Sequence, residues 1–361
     1  MTMCTISTSA HETPRQPQLV RALAISESLS QNFVTLPRDG SLRGIFDRQF
    51  QTTLLQRAAA TAADRPPPEG RALVLVGRSG TGKTRSITKM FESHPDLQGY
   101  GRIQTDCPLV TISAPSPSTL LQLGRETLRG LGYPLARESK EHLVWEAVRE
   151  KLRLTGTTIL HIDEMQHVTQ AANVLEIRKI ANTLKDLMIN RTWPVSLVLS
   201  GMPALQEFIE TDPQLVRRSR FIRFNSINLD DDADNIDGII EQYADEAGLQ
   251  VSILANHHLV SRLFHASNYQ FGIAIEFIID AIRLALLRES TVLEIGDFAK
   301  AHAERTGGGP LANPFIAPNW GDIDVTKVLQ QHPPTVPGPP ETIQVNRTRR
   351  KSVKKKEGRG H

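Results

Sequence analysis

The sequence predicts an α/β fold with a parallel sheet flanked by helices, followed by a separate helical domain. Short apolar or β-branched segments alternate with helical patterns from Arg71 to Phe224, which is typical of a doubly wound sheet buried on both faces. After Asn228 the strand-like segments stop and only helical patterns follow. We therefore divide the chain into four parts, namely an N-terminal segment with one helix (1–70), the α/β core (71–228), a helical domain (229–306) and a tail (307–361).

Each element rests on its own pattern of apolar residues. The first is a helix over 41–63, which ends before the proline-rich segment 65–70. The predicted core strands are Ala72–Val76, Leu109–Ser113, Thr158–Ile162, Val195–Ser200 and Phe221–Phe224. The main core helices are Ser118–Leu131, Glu141–Leu154 and Val174–Ile189. The helical domain contains Asp230–Ala247, Ser252–Phe264, Phe271–Leu287 and Ile295–Glu304.

Composition indicates a soluble globular protein without a membrane segment. The most apolar stretch, 271–287, carries charged residues at spacings of four and three, which predicts an amphipathic packed helix rather than a bilayer span. The two cysteines, Cys4 and Cys107, form neither a metal-ligand spacing nor a disulfide framework, so we expect a cytoplasmic setting.

Charge is concentrated at the C-terminal end. The segment 347–359 contributes +7 to a chain total of +3, which leaves about −4 for the rest. Any attraction to a polyanion must therefore come from local patches or from the tail. The tail is also proline-rich and lacks an apolar pattern, so we expect it to be disordered.

The strongest functional motif is Gly77-Arg-Ser-Gly-Thr-Gly-Lys-Thr84, a complete P-loop between a predicted strand and a helix. Its glycines allow backbone N–H groups to converge on phosphate oxygens. Lys83 is expected to contact the β and γ phosphates of ATP, and the Thr84 hydroxyl to bind Mg²⁺. The residues assigned to nucleotide contact are Gly77, Arg78, Ser79, Gly80, Thr81, Gly82, Lys83, Thr84 and Arg85.

Two further sites are predicted at the ends of core strands. Asp163 and Glu164 follow an apolar strand, where ligands bind in open α/β sheets. We expect Asp163 to hold Mg²⁺ through water and Glu164 to polarise the attacking water. Ser200 ends another strand and either orients that water beside the γ-phosphate or is a simple strand terminus. His161 is interpreted as a core histidine.

Three arginines precede the last core strand, in the segment Leu215-Val-Arg-Arg-Ser-Arg-Phe221. Such a cluster is either a solvated helix end or a subunit edge that faces the γ-phosphate of a neighbour. Arginine suits the second role because its planar fork stays charged and binds phosphate through two hydrogen bonds. Arg220 is the first candidate for this role and Arg217 the second.

The order of these elements resembles the AAA+ ATPases, which consist of a P-loop core and a helical lid. Within them it most resembles the TniB/TnsC family of transposition regulators, relatives of the bacteriophage Mu B protein. The matching stretches are 75–84, 161–167, 184–190, 198–203 and 214–221. The resemblance implies ATP-bound homo-oligomers, as rings or filaments, that assemble on double-stranded DNA and recruit or stimulate a transposase. AAA+ lids often carry an arginine that reaches the nucleotide, whereas Phe271–Glu276 has none.

Two other functions share parts of this pattern. A replication initiator or helicase loader has the same core but often appends a helix-turn-helix after the lid, where this chain has Gly307-Gly-Gly-Pro310. A small-molecule kinase also uses a P-loop but seldom has an Asp-Glu pair at this strand end. Both are retained as alternatives to the transposition regulator.

Overall fold

Five parallel strands form the central sheet, as predicted. They are β1 (Ala72–Gly77), β2 (Leu109–Ser113), β3 (Ile159–Asp163), β4 (Ser196–Gly201) and β5 (Ser219–Phe224). In the computed structural model, which describes residues 16–103, 105–171, 173–252 and 256–326, their order is β2-β3-β4-β1-β5. Because the strands are parallel, their carboxyl ends meet at one edge of the sheet.

Within the residues that the structure describes, nine α-helices precede or surround this sheet. They are α1 (Gln16–Gln31), α2 (Pro37–Ala62), α3 (Lys83–Glu92), α4 (Leu120–Gly130), α5 (Glu141–Leu154), α6 (Gln166–Ala171), α7 (Val174–Ile189), α8 (Ala204–Glu210) and α9 (Pro213–Arg218). The bounds of α5 and α7 agree with the prediction. α4 begins later than predicted because the Thr119 hydroxyl caps it, accepting a hydrogen bond from the backbone N–H of Gln122.

The helical domain contains α10 (Leu229–Glu246), α11 (Asn256–Ala266), α12 (Phe271–Leu287) and α13 (Ile295–Thr306). α12 lies at its centre and is buried along several faces. Two short parallel strands, β6 (Gln250–Val251) and β7 (Val292–Leu293), also occur there and were not predicted. Strands of two residues are too short to produce an alternating pattern. Within the described ranges, no helix combines the length and the apolar character needed to cross a bilayer.

The prediction of one helix in residues 1–70 was wrong, because α1 precedes α2. α1 packs along α12 of the helical domain through a narrow stripe that includes Ala22, Ser26 and Leu29. The stripe contains small and polar residues, which permit close helix packing but give a weak apolar signal. The N-terminal segment therefore contacts both domains, since the apolar face of α2 packs on the sheet.

The prediction that the disordered tail begins at residue 307 places its start too early in the chain. Residues 307–326 pack against the helical domain, where the ring of Phe315 is buried beside that of Phe298 at a centroid distance of 5.6 Å. The amide of Asn313 donates to the carbonyl oxygen of Ala299 at 2.7 Å, and Arg262 donates to that of Ala317 at 3.0 Å. The proline-rich and basic segments lie in 327–361, outside the described residues.

Candidate nucleotide-binding site

The P-loop connects the carboxyl end of β1 to the first turn of α3, as predicted. Gly80 and Gly82 adopt φ values of +79° and +91°, which L side chains rarely tolerate. At Gly77 a Cβ atom would lie 2.8 Å from the carbonyl oxygen of Phe224, so only glycine fits. The first N–H groups of α3 have no partner within the helix and therefore provide an anion site at the loop.

Lys83 lies at the start of α3, with its ammonium group over the loop. Its Nζ atom donates to the carbonyl oxygens of Gly77 at 2.8 Å and Arg78 at 2.9 Å. Burial lowers the pKa of Lys83, while the carboxylates of Glu164 and Asp163 oppose the shift. When a nucleotide binds, the ammonium group of Lys83 can donate to phosphate oxygens in place of these two carbonyl oxygens.

The P-loop and β3 meet through Thr84 and Asp163. The Thr84 hydroxyl donates to Asp163 Oδ2 at 2.7 Å, which brings the two predicted metal ligands together. A hydroxyl and one carboxylate suit Mg²⁺, which prefers oxygen ligands and takes its remaining ligands from phosphates and water. Among the described residues, no group of three or more His, Cys, Asp or Glu side chains is arranged to hold a metal ion.

The other oxygen of Asp163 ends a chain of hydrogen bonds. Oδ1 accepts from the backbone N–H of Glu164 at 2.9 Å and from the Ser200 hydroxyl. Ser200 also lies 3.0 Å from Nε2 of His161, and Nδ1 of the same ring lies 3.1 Å from Oγ1 of Thr111. Tyr100 completes the chain, with its phenolic oxygen 3.0 Å from Oγ1 of Thr111.

The direction of the chain follows from its end. A carboxylate only accepts, so Ser200 must donate to Asp163 and accept from Nε2–H of His161. Nδ1 of His161 then accepts from the Thr111 hydroxyl. Burial lowers the pKa of His161 to about 4, opposed by Asp163, so the ring is neutral near pH 7.

This chain changes the interpretation of Ser200 and His161. Ser200 is fully buried and is not among the residues that line the nucleotide cavity, so its role in orienting the attacking water stays a prediction. Its hydroxyl holds the carboxylate of Asp163. His161 is buried as predicted. It also supports the predicted metal ligand Asp163 through the hydroxyl of Ser200.

Glu164 is held at the rim of the cavity in an unusual backbone conformation. Its φ is +56°, in the left-handed region, which costs a non-glycine residue about 1 kcal/mol or more. The neighbouring Met165 N–H donates to the carbonyl oxygen of Ser200 at 3.0 Å, and the amide of Gln166 donates to the Glu164 carboxylate. These contacts fix Glu164 beside the P-loop, where a water-polarising base is expected.

A cavity of about 470 Å³ extends from the P-loop between the core and the helical domain. One end is lined by Ser79, Gly80, Gly82, Lys83, Thr84, Arg85 and Glu164. The other end is apolar, with Phe33, Val34, Phe271, Ile275 and Ile279. A polar phosphate loop beside an apolar wall matches the two ends of a nucleotide. Sequence analysis missed this wall, because its residues come from the α1–α2 connection and α12.

Two arginines connect the P-loop region with the region between α1 and α2. Arg38 lies at the start of α2, and Arg85 lies in the first turn of α3. Arg38 donates to the carbonyl oxygen of Thr81 at 2.7 Å, and its guanidinium lies 4.5 Å from the ring centroid of Phe224. Burial lowers the pKa of Arg38, opposed by Asp39 and Asp232. Arg85 donates to the carbonyl oxygen of Asn32 at 2.7 Å. Arg85 therefore borders the cavity as predicted, but its guanidinium is bonded to the protein backbone.

Not every residue of the loop faces the cavity. Thr81 is buried, and its hydroxyl donates to the carbonyl oxygen of Arg78 at 2.8 Å. The side chains of Thr81 and Arg78 do not line the cavity. Nucleotide contact by these two residues stays a prediction.

The helical domain contacts the loop through backbone rather than through an arginine. The N–H of Gly272 donates to the carbonyl oxygen of Gly80 at 2.7 Å. A Cβ on Gly272 would lie 2.7 Å from that oxygen, and one on Gly80 would lie 2.7 Å from Ile273. Two glycines thus allow α12 to reach the P-loop, at the segment where the sequence lacks the expected arginine.

The three arginines around the start of β5 have different environments. Arg218 is buried and pairs with Glu69 at 2.7 Å. Arg217 and Arg220 are exposed. In the sheet, Arg220 pairs with Leu73 and Phe224 with Gly77, so Arg220 lies at the opposite end of β5 from its own P-loop. Arg220 is therefore not part of the nucleotide site of its own subunit.

Comparison with known proteins supports this geometry. Residues 50–229 match the family model described as "Bacterial TniB protein". No curated protein sequence matches the chain. The fold is similar to Cdc6p from Pyrobaculum aerophilum, with 17% identity, a TM-score of 0.55 and coverage of 77% of this chain and 70% of that one.

Two further solved structures share the fold. The Aeropyrum pernix ORC2 protein, solved with ADPNP and ADP, has 15% identity and a TM-score of 0.52, covering 76% of this chain and 71% of that one. A Drosophila ORC structure bound to DNA has 13% identity and a TM-score of 0.51, covering 86% and 71% respectively. At these identities the likeness shows a common AAA+ fold.

Proposed function

Because this chain belongs to the TniB family of AAA+ ATPases, we propose that it is a DNA-binding regulator of transposition that assembles on target DNA with ATP and recruits or activates a transposase. The observation that carries the proposal is the TniB match over 50–229, the region that contains the P-loop, Asp163 and Glu164. Lys83, Thr84 and Glu164 line one cavity, and Asp163 joins them through its hydrogen bond with Thr84.

In the proposed mechanism, Lys83 and the loop N–H groups bind the phosphates of ATP. Thr84 and Asp163 would hold Mg²⁺, which supplies positive charge against the phosphate oxygens. Ser200 keeps the Asp163 carboxylate oriented through its hydrogen bond. Glu164 accepts a proton from the attacking water, and its placement at the rim leaves the carboxylate half-exposed to solvent.

Hydrolysis also needs positive charge at the γ-phosphate from the neighbouring subunit. Arg220 is proposed for this role because it is exposed and lies at the end of β5 away from its own site. Such an interface is heterologous, and its repetition gives rings or helical filaments. Arg217 is the second candidate, since it is exposed on the same side.

DNA is proposed to bind to the assembled subunits through local surface regions that repeat in the oligomer. Candidates are the loop 114–118 after β2 and the exposed side chains of Arg137 and Lys140 between α4 and α5. The Drosophila ORC structure, which is bound to DNA, has a related fold. Contacts to phosphates release counterions, so affinity should be independent of sequence and should fall steeply between about 50 and 200 mM salt.

A replication initiator or helicase loader is the second candidate, because the similar solved structures include Cdc6 and ORC proteins. The family match favours transposition. Electron microscopy with ATP, with and without duplex DNA, combined with a strand-transfer assay containing the transposase of the same element, tests the proposal. ATP-dependent oligomers that coat DNA and stimulate strand transfer are expected. Sequence-specific binding, or no effect on strand transfer, would overturn it.

A further inference from the structure

A second cavity, of about 860 Å³, lies at the end of the sheet opposite the nucleotide site. Five arginines line it, together with one carboxylate, Glu69. Glu69 already pairs with Arg218, with Nη2 and Nε at 2.7 and 3.0 Å. The remaining four arginines are exposed, and among the described residues their side chains have no hydrogen-bond or ion-pair partner. They are Arg48, Arg71, Arg217 and Arg220.

Apart from Ile45 and Phe221, the residues that line this arginine cavity are polar or charged. α2 supplies Gln49, Thr52, Thr53 and Gln56 on one helical face, at spacings of three and four. Nothing in the cavity except Glu69 balances the charge of the arginines. Its occupant must therefore carry several negative charges arranged along an extended surface.

The same chain presents such a surface on α10. This helix contains eight acidic residues and no Lys or Arg. Five of them form one face and have no hydrogen-bond or ion-pair partner within the described part of the chain, and their spacings of four, three, four and four span about 22 Å. This acidic stripe consists of Asp230, Asp234, Asp237, Glu241 and Asp245.

The acidic stripe lies on the face of α10 opposite to the one that contacts the nucleotide site. The buried face of α10 carries Tyr243, which lines the nucleotide cavity. The arginine cavity lies at the far end of β1 and β5. The two charged surfaces are therefore on different sides of one subunit, so they can meet only between subunits.

We propose that the acidic stripe on α10 of one subunit docks against the arginine cavity of the next, which fixes the head-to-tail register of the assembly. The inference rests on the proposed ATP-dependent assembly and adds its charged interface. The docking brings Arg217 and Arg220 of one subunit against α10 of its neighbour, the helix whose buried face lines the nucleotide cavity. Because the pairs are charged and partly exposed, assembly should weaken as salt rises.

Charge exchange tests the pairing without altering the nucleotide site. One variant carries Arg48→Glu and Arg71→Glu, and the other carries Asp234→Arg and Asp237→Arg. Each alone places like charges across every interface, so the protein concentration for half-assembly with ATP should rise about tenfold or more. An equimolar mixture restores opposite charges at every interface if the two variants alternate, and should assemble near the wild-type concentration.

Sedimentation velocity measures assembly, and a fluorescent ATP analogue measures nucleotide binding by each monomer. Both variants should bind the analogue like the wild type, which shows that they are folded. The matched control, Asp186→Arg with Arg191→Glu, changes exposed charges outside both surfaces and should assemble normally. If either variant assembles like the wild type, or if the mixture shows no recovery, the pairing is wrong. If the wild type itself fails to assemble with ATP, the proposed function fails instead.

Discussion

Nε2 of His161 lies 3.0 Å from the hydroxyl oxygen of Ser200, and the same hydroxyl donates to Asp163. A histidine buried in the sheet is thereby connected to the proposed Mg²⁺ ligand through a single serine. The connection determines which ring nitrogen carries the proton and leaves Ser200 no hydrogen for any other acceptor. His161 acts here as a positioning residue.

Replacing His161 with Phe should weaken Mg²⁺ binding rather than ATP binding alone. Loss of the Nε2–H donor frees the Ser200 hydroxyl to rotate away from Asp163, and loss of such a supporting contact typically costs about 10- to 100-fold in metal affinity. The Mg²⁺ concentration for half-maximal nucleotide binding and for half-maximal turnover should both rise. His161→Gln retains an amide donor and should recover part of the loss. An unchanged Mg²⁺ requirement in His161→Phe would assign His161 to packing alone.

Lys83 and Glu164 should separate binding from hydrolysis. Lys83→Ala removes a charged donor to the phosphates and should lower ATP affinity about 100-fold. Glu164→Gln should bind ATP normally and lower turnover by about 100-fold or more, because the amide cannot accept the proton from water. Binding of a fluorescent ATP analogue and phosphate release measure the two effects. Lys89→Ala, an exposed change on the same helix, is the control. Wild-type turnover in Glu164→Gln would show that another group is the base.

Arg220 should act on the neighbouring subunit. Arg220→Ala should lower turnover on the order of 1000-fold while leaving nucleotide affinity unchanged. Mixing it with Glu164→Gln creates interfaces where an intact Glu164 faces an intact Arg220, so part of the activity should return. The exposed Arg217→Ala is the matched comparison, and an effect confined to it would transfer the role to Arg217. Absence of recovery at every mixing ratio would contradict a role in trans.

His302 should make the helical domain sensitive to acid. Its ring is buried against Phe277 at a centroid distance of 5.8 Å, and burial lowers its pKa to about 4, assisted by Arg305 and His265. The unfolded chain, with a pKa near 6.5, binds the proton more tightly. The free energy of unfolding should therefore decrease as the pH falls from about 6.5 towards 4. At pH 5 it should be about 2 kcal/mol lower than above pH 6.5.

Urea unfolding of the wild type and His302→Leu at pH 8 and pH 5 isolates this contribution. The variant should lose less stability between the two pH values than the wild type does. Equal losses in both proteins would show that other groups account for the acid sensitivity.

Removal of residues 327–361 and removal of residues 307–361 should have different effects on thermal stability. Removing 327–361 should leave ATPase activity and thermal stability unchanged, since no described contact is lost. Removing 307–361 also deletes the buried Phe315 and the Asn313 hydrogen bond to Ala299, which should lower the melting temperature by about 5 °C. Differential scanning fluorimetry measures both. Equal melting temperatures would show that residues 307–326 add nothing to the lid.

The tail itself remains a sequence-based prediction. If the basic segment 347–359 holds DNA or engages the transposase, removal of 327–361 should weaken DNA binding at moderate salt or weaken transposase recruitment. Binding and transposition equal to those of the full chain would make the tail dispensable.

Local sequence patterns were sufficient to predict the sheet, the P-loop and the Asp163–Glu164 pair. These features depend on residues close together in the chain. A strand of five apolar residues is recognisable locally, and the P-loop requires its glycines and Lys83 at fixed spacing. The bounds of α12 were likewise predictable, because its apolar residues extend over 17 positions.

Tertiary structure decided which distant residues complete the site. Ser200 lies 37 positions from Asp163, and Gly272 lies far along the chain from the P-loop carbonyl that it contacts. No local pattern indicates such partners. The Ser200–Asp163 hydrogen bond forms because β4 lies beside β3 in the sheet. The Gly272 contact forms because α12 packs against the P-loop. The relative positions of the acidic stripe and the arginine cavity also depend on the tertiary structure. Each is visible as charge in the sequence, but only the fold shows that they occupy different sides of one subunit.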